Sequence, residues 1–280
     1  MLFRADTASA WYKAVLKGDK MEKLAFVLGA GGARGIAHIG FLQAMDEFGI
    51  KPDLIAGCSM GSIVGACYAK GYTPEELKNI ALKLRPVDII DPSIVPFQKK
   101  AFLSSRKMQG LLEGLFGTVT FDELKIPFSC IATDLKSGET KTFSSGCVEE
   151  AVRASASIPG VFKPVEKDGF ELVDGGVLKY VPVKTARDMG ATKIIAVDVL
   201  GEVRAVEETG TLIGNLFRVV DIATANMTKN YLKVNAPDIL LRPELGDMSQ
   251  YKVDRLEFAY RKGYEEGIKN IDRIKELIAK

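Results

Sequence analysis

Asp53-Leu54-Ile55-Ala56-Gly57-Cys58-Ser59-Met60-Gly61-Ser62 is the stretch on which the fold turns. A short apolar run ends in G-x-S-x-G, and small residues follow, among them Gly61, Ser62, Gly65 and Ala66. Strand, glycine-flanked serine and helix in that order read as a nucleophile elbow. A sharp turn there lifts the serine hydroxyl out of the sheet. Gly57 and Gly61 stand where any Cβ would clash across the turn. N–H groups at the start of the following helix favour an oxyanion formed at Ser59. The competing reading is a glycine-rich packing turn without chemistry.

Outward from the elbow, strand and helix patterns alternate. Strands are expected at Lys23–Leu28, Pro52–Gly57, Phe128–Thr133, Glu139–Phe143, Phe170–Val173, Lys193–Val199 and Asp238–Leu241. Helices are expected at Gly35–Phe48, Gly61–Lys70, Pro74–Leu84, Ser105–Phe116, Glu149–Ser157, Val181–Met189, Thr211–Lys233 and Val253–Ala279. Thr73 reads as the N-cap of the third of these, with Pro74 at N1. The alternation argues an α/β fold with a largely parallel central sheet. Residues 1–22 form an N-terminal extension, with a short helix at 8–17 around Trp11, and 23–280 a single domain. Residues 86–104 hold three prolines and read as a lid-like segment.

A second glycine cluster lies upstream. The strand Lys23–Leu28 runs into Gly29-Ala30-Gly31-Gly32-Ala33-Arg34-Gly35 and then a helix. Three readings compete: a dinucleotide turn, an oxyanion hole and a plain tight turn. The dinucleotide pattern G-x-G-x-x-G fails in both registers, because Arg34 occupies the sixth position in one and Ala30 the first in the other.

A serine nucleophile needs a base. The 280 residues contain one histidine, His38, and it precedes the serine. A Ser-acid-His order along the chain is therefore absent, and His38 reads better as a helix residue satisfied by local hydrogen bonds. The base must be a carboxylate or a lysine. Phe170-Glu171-Leu172-Val173-Asp174-Gly175-Gly176 ends an apolar strand at an acid, with two glycines that allow close approach to the elbow. Asp174 is the candidate; an Asp-Gly turn is the alternative.

The composition excludes several classes. Lys and Arg number 38 against 36 Asp and Glu, so no basic field points to nucleic acid. Cys58, Cys67, Cys130 and Cys147 show no metal-ligand spacing and read as reduced thiols of a cytosolic protein. A His-rich metal site is impossible, no D-x-D-x-D-G calcium loop occurs, and no metal or other cofactor is expected. No apolar run is long enough to span a membrane, and the N-terminus lacks a signal-peptide core. The expected location is cytoplasmic, including a peripheral station at the inner membrane face.

Taken together, Ala30-Gly31-Gly32-Ala33-Arg34-Gly35, Gly57-Cys58-Ser59-Met60-Gly61 and Asp174-Gly175-Gly176 resemble the patatin-like phospholipase family, in particular its bacterial lysophospholipase-like members. Ile36–Leu42, Ala132–Leu135 and Arg153–Val165 are also similar, and the resemblance covers about residues 23–200. It implies a three-layer α/β sandwich. It also implies a serine esterase that cleaves fatty-acyl esters, lysophospholipids or phospholipids, through a Ser59–Asp174 dyad without histidine. By the same resemblance Gly31 and Gly32 form the oxyanion hole, Arg34 holds that loop or, as the weaker alternative, meets a lipid phosphate, and Gly57, Gly61, Gly175 and Gly176 support the site. Ala30 departs from the family's usual glycine, but its N–H is expected to stay available. The implied partners are an acyl-ester lipid and, transiently, a membrane surface. An acyltransferase working through the same serine is the alternative, disfavoured because such enzymes usually pair the serine with a histidine.

Overall fold

The computed structural model describes residues 22–85, 106–201 and 212–280. The readings for the 8–17 helix and the 86–104 segment fall outside these residues.

The strands are β1 Leu24–Leu28, β2 Leu54–Gly57, β3 Phe128–Asp134, β4 Thr140–Phe143, β5 Val165–Lys167, β6 Phe170–Asp174, β7 Lys193–Val197 and β8 Ile239–Leu241. They form one eight-stranded sheet in the order β5-β6-β3-β2-β1-β7-β8, with β4 paired to β3 off that path. Pairings from β3 through β2, β1 and β7 to β8 are parallel. Those of β4, β5 and β6 are antiparallel. The central parallel strands are almost continuously apolar, as strands covered on both faces must be.

The α-helices are α1 Ala37–Glu47, α2 Met60–Lys70, α3 Pro74–Ala81, α4 Arg106–Phe116, α5 Val148–Ser155, α6 Val183–Asp188, α7 Leu212–Val234, α8 Leu256–Lys269 and α9 Ile271–Ala279. Alternate residues of β1 enter two different cores, because successive side chains of a strand point to opposite faces. Leu24, Phe26 and Leu28 pack with α1 to α5, α8 and α9. Ala25 and Val27 pack with α6 and with Leu232 of α7. Helices thus cover both faces of the sheet, which is the three-layer α/β sandwich. At α3 the Thr73 cap is complete: its hydroxyl accepts from Glu76 N at 3.2 Å, and Glu76 accepts from Thr73 N at 2.8 Å.

One expectation is corrected and two features are added. The run Val253–Ala279 is two helices, broken at Asn270, whose side chain donates to Glu266 O instead of continuing the turn. Val165–Lys167 is an additional edge strand, too short to show a period. The strand carrying Asp174 runs antiparallel to β3, so its carboxyl end approaches from the direction opposite to that of β2.

That last point positions the site. Cys130 of β3 pairs with Gly57 on one side and Phe143 on the other. Ala132 pairs with Lys141 on the β4 side and with Asp174. β2 and β6 therefore share one edge of β3 and meet head-on along it, their carboxyl ends facing each other two residues apart in register. Asp134 locks this junction. Its carboxylate accepts from the Ser137 hydroxyl at 2.7 Å and from Glu171 N at 3.0 Å, pinning β6 to β3. The Ser137 bond, with the backbone N–H bonds, holds its pKa down to about 2.

Candidate active site

Ser59 sits at φ 53° and ψ −124° between β2 and α2, a conformation that non-glycine residues rarely adopt. The close packing of the turn holds it there. A Cβ on Gly61 would lie 2.2 Å from Leu28 O and 2.4 Å from Gly29 O. One on Gly57 would lie 2.7 Å from both Gly61 O and Ser62 Cα. The elbow is further tied by Ser59 N donating to Ser155 Oγ at 3.0 Å and Ser62 Oγ donating to Ser59 O at 2.6 Å.

Ser59 Oγ donates to Asp174 Oδ2 at 2.5 Å, and Gly176 N donates to Asp174 Oδ1 at 2.7 Å. Asp174 N donates to Ser157 O at 2.9 Å. Both Ser59 and Asp174 are buried. Burial pushes the Asp174 carboxyl up to about 6, against the lowering effect of the bonds from Ser59 and Gly176. Cys58 Sγ lies 4.0 Å from Asp174 Oδ1, and burial, with the nearby Asp174, pushes that thiol up. Gly175 packs on the elbow as expected: a Cβ there would lie 2.5 Å from Ile131 O and 3.0 Å from Cys58 Sγ.

The first glycine loop joins the same centre. Gly61 packs on Leu28 and Gly29, and a Cβ on Gly35 would strike Met60 Cγ at 2.4 Å. Gly31 and Gly32 precede α1, with Gly32 at φ 49°. Among the described residues, their N–H groups donate to no backbone carbonyl, whereas those of Gly29, Ala30, Ala33 and Arg34 all do. The Ala30 expectation is thereby corrected: its N–H donates to Tyr180 O at 2.8 Å. Arg34 is a clamp. Its Nε, Nη1 and Nη2 donate to the carbonyls of Met248 at 2.6 Å, Leu200 at 2.8 Å and Gly246 at 3.3 Å.

His38 lies apart from the serine–aspartate pair. Its Nε2 donates to Gly29 O at 2.8 Å, and among the described residues its buried Nδ1 has no partner. Burial lowers its pKa to about 4, so the ring is neutral. Local satisfaction is thus half of what the sequence suggested.

Ser155, Ser157, Tyr180 and Gln250 support the site and were not singled out from sequence. Ser155 and Ser157 fall within the Arg153–Val165 similarity, which gave them no role. Gln250 O accepts from Ala33 N at 2.9 Å, and Tyr180 OH donates to Gln250 Oε1 at 3.1 Å. Among the described residues no cluster of His, Cys, Asp and Glu is arranged to hold a metal ion.

Fold and site together define an α/β protein in which a serine elbow faces a buried aspartate across the end of a strand. The sequence pattern of patatin-like phospholipases matches residues 26–187, a span that contains all three motifs. An NTE family protein of Mycobacterium tuberculosis, itself uncharacterised, is 38% identical over 189 residues, covering 66% of this chain and 51% of that one. Human patatin-like phospholipase domain-containing protein 6 is 36% identical over 209 residues, covering 70% of this chain and 14% of that one. The chain thus spans about half the length of the mycobacterial relative and less of the human one. VipD from Legionella pneumophila superposes with a TM-score of 0.58 at 14% identity, over 91% of this chain and 67% of its own, which supports the fold. This chain belongs to the patatin-like phospholipase family.

Proposed function

We propose that this protein is a serine esterase that hydrolyses fatty-acyl esters of lysophospholipids or phospholipids through Ser59 and Asp174. The observation that carries the proposal is the 2.5 Å hydrogen bond from Ser59 Oγ to Asp174 Oδ2 inside a buried site. In this mechanism Ser59 Oγ attacks the ester carbonyl as its proton passes to Asp174 Oδ2. The oxyanion is met by the N–H groups of Gly31 and Gly32 and by the N-terminus of α2. Asp174 returns the proton to the departing alcohol oxygen, leaving an acyl-Ser59 ester. Water then attacks that ester, gives a proton to Asp174, and releases the fatty acid as Ser59 recovers its own.

An aspartate near its ordinary pKa of about 3.9 is a weak base. Burial raises Asp174 to about 6, within range of proton acceptance at neutral pH. Arg34 serves as a loop clamp in this reading. It holds the Gly31–Gly32 turn to three carbonyls far along the chain. The four free cysteines, three of them buried, fit a reducing cytoplasm as the working compartment. Among the described residues no helix is long and apolar enough to cross a membrane.

The test is hydrolysis of p-nitrophenyl butyrate by Ser59→Ala and Asp174→Asn. Each is expected to lose about 10³-fold in turnover while the thermal unfolding transition persists. Turnover near wild type in either variant sinks the dyad. A panel of lysophospholipids and diacyl phospholipids then ranks the substrates.

A further inference from the structure

Helix α7 is amphipathic the wrong way round for a helix packed on a protein. Leu216, Val219, Val220, Ala223 and Met227 follow each other at helical spacing on one stripe, which resumes at Val234 past the exposed Asn230; all six are exposed, Leu216 at 64% and Val219 at 61%. The inward face carries the buried Thr224, Thr228 and Leu232 and the half-buried Asp221, with Ala225 and Tyr231 packed beside Leu232. Asp221 is the helix's only carboxylate, and it faces inward: it accepts from Gln250 Nε2 at 2.6 Å and from Tyr251 OH at 2.9 Å. Phe217 packs on Tyr251 with ring centroids 4.4 Å apart and planes tilted by 35°. Because Gln250 O also accepts from Ala33 N, α7 is joined through Gln250 to the glycine loop of the site.

One flank of the stripe is cationic. Lys229 and Lys233 are exposed there. Beside Lys229 a cavity of about 480 Å³ is lined by Ile222, Asn226 and Arg242, the last ion-paired to Asp198 at 3.0 Å. We infer that α7 is the docking surface for an anionic lipid bilayer, lying in the interface with its apolar stripe among the acyl chains. Asn215, Arg218, Asn226 and Asn230 rule out a spanning role for it, while an apolar stripe beside lysines suits an interfacial one. A second copy of the chain fits less well, since antiparallel pairing of α7 would set the cationic flank against itself. The inference rests on the proposed lipid substrate for its purpose, but the surface can be tested without turnover.

The experiment is co-sedimentation of the full chain carrying Ser59→Ala with vesicles of phosphatidylcholine alone or mixed with phosphatidylglycerol. Binding to the mixed vesicles is expected to be about tenfold tighter than to the neutral ones. Adding Val219→Asp and Val220→Asp is expected to lower it by about tenfold or more. With Ser59 left as serine, hydrolysis of p-nitrophenyl butyrate, which is monomeric in solution, is expected to change less than about twofold with the aspartate pair. Leu216→Gln, a milder change on the same stripe, is the second variant and is expected to weaken vesicle binding in the same direction. Vesicle binding unaltered by these substitutions overturns the inference. So does a dimer in sedimentation velocity that they dissolve. A chain that binds vesicles but hydrolyses no ester keeps this surface and loses the dyad; one that hydrolyses the ester but ignores vesicles does the reverse.

Discussion

The floor of the first glycine loop and the end of β6 each bury one titratable side chain, and the two are held in opposite ways. His38 is neutral and bonded to the carbonyl of Gly29, with its Nδ1 unpartnered among the described residues. Asp174 is clamped by two donors, one of which is the serine at the elbow. Burial drives both groups toward the uncharged form. Only the neighbour decides which of them stands ready to take a proton. The histidine is spent on a main-chain carbonyl, whereas the proposed base is an aspartate desolvated against a hydroxyl.

The largest expected effect on this contrast comes from Asp174→Asn, with about 10³-fold loss of ester turnover. His38→Ala, measured in the same assay, is the opposite arm. If the aspartate variant were the more active of the two, the roles assigned to the two regions would be exchanged. The kcat/KM of the wild type is expected to rise with pH through about 6 and level off above it, because the proposed base must be ionised in the free enzyme. A profile flat from pH 5 to 8 would remove Asp174 from the proton path.

The two groups also tilt stability in opposite directions. Asp174 is raised from 3.8 to about 6, so its contribution is fully present below pH 3.8 and lost as pH rises through 6. His38 is lowered from 6.5 to about 4, so its contribution is present above pH 6.5 and lost as pH falls through 4. Each is on the order of 3 kcal/mol, and across about pH 4 to 6 they nearly cancel. Denaturant titrations should show this as difference curves. Relative to wild type, Asp174→Asn is expected to gain stability as pH rises from 4 to 6, and His38→Ala to lose it, whatever constant cost its cavity adds. Parallel curves for all three proteins would mean that neither group is shifted.

Smaller effects sharpen the picture. Ser59 at φ 53° stores on the order of 1–3 kcal/mol of backbone strain, which glycine relieves at an entropic cost of about 0.5–1 kcal/mol. Ser59→Gly is thus expected to be about 1 kcal/mol more stable than Ser59→Ala by chemical denaturation, although both are inactive. Equal stability would mean that the elbow carries no strain. His38→Ala is expected to change turnover by less than about threefold per folded molecule. A loss as deep as that of Ser59→Ala would restore the histidine to the mechanism.

Most of this site was legible because its chemistry depends on short local patterns. Gly57 and Gly61 announce a turn that admits no Cβ, and strand and helix periods on either side say where the serine emerges. Orientation was not legible. Phe170–Val173 has the same apolar pattern whether β6 runs with β3 or against it, so the head-on meeting with β2 had no sequence signature. Arg34 was recognised as a loop residue, but its acceptors are main-chain carbonyls at Leu200, Gly246 and Met248, and a carbonyl carries no residue identity. Ala30 misled for the same reason, since its N–H is occupied by the carbonyl of Tyr180. Asn270 divides the last helical run although the apolar spacing continues across it.

The head-on junction of β2 and β6 has a consequence for the life of the chain before it is folded. Ser59 and its proposed base are 115 residues apart in sequence and come together only when β6 docks on the edge of β3. A ribosome that has already made the elbow must extend the polypeptide by that whole distance before the hydroxyl has anything to give its proton to. Docking of β6 on β3, and not synthesis of the elbow, is thus the step that completes the proposed dyad.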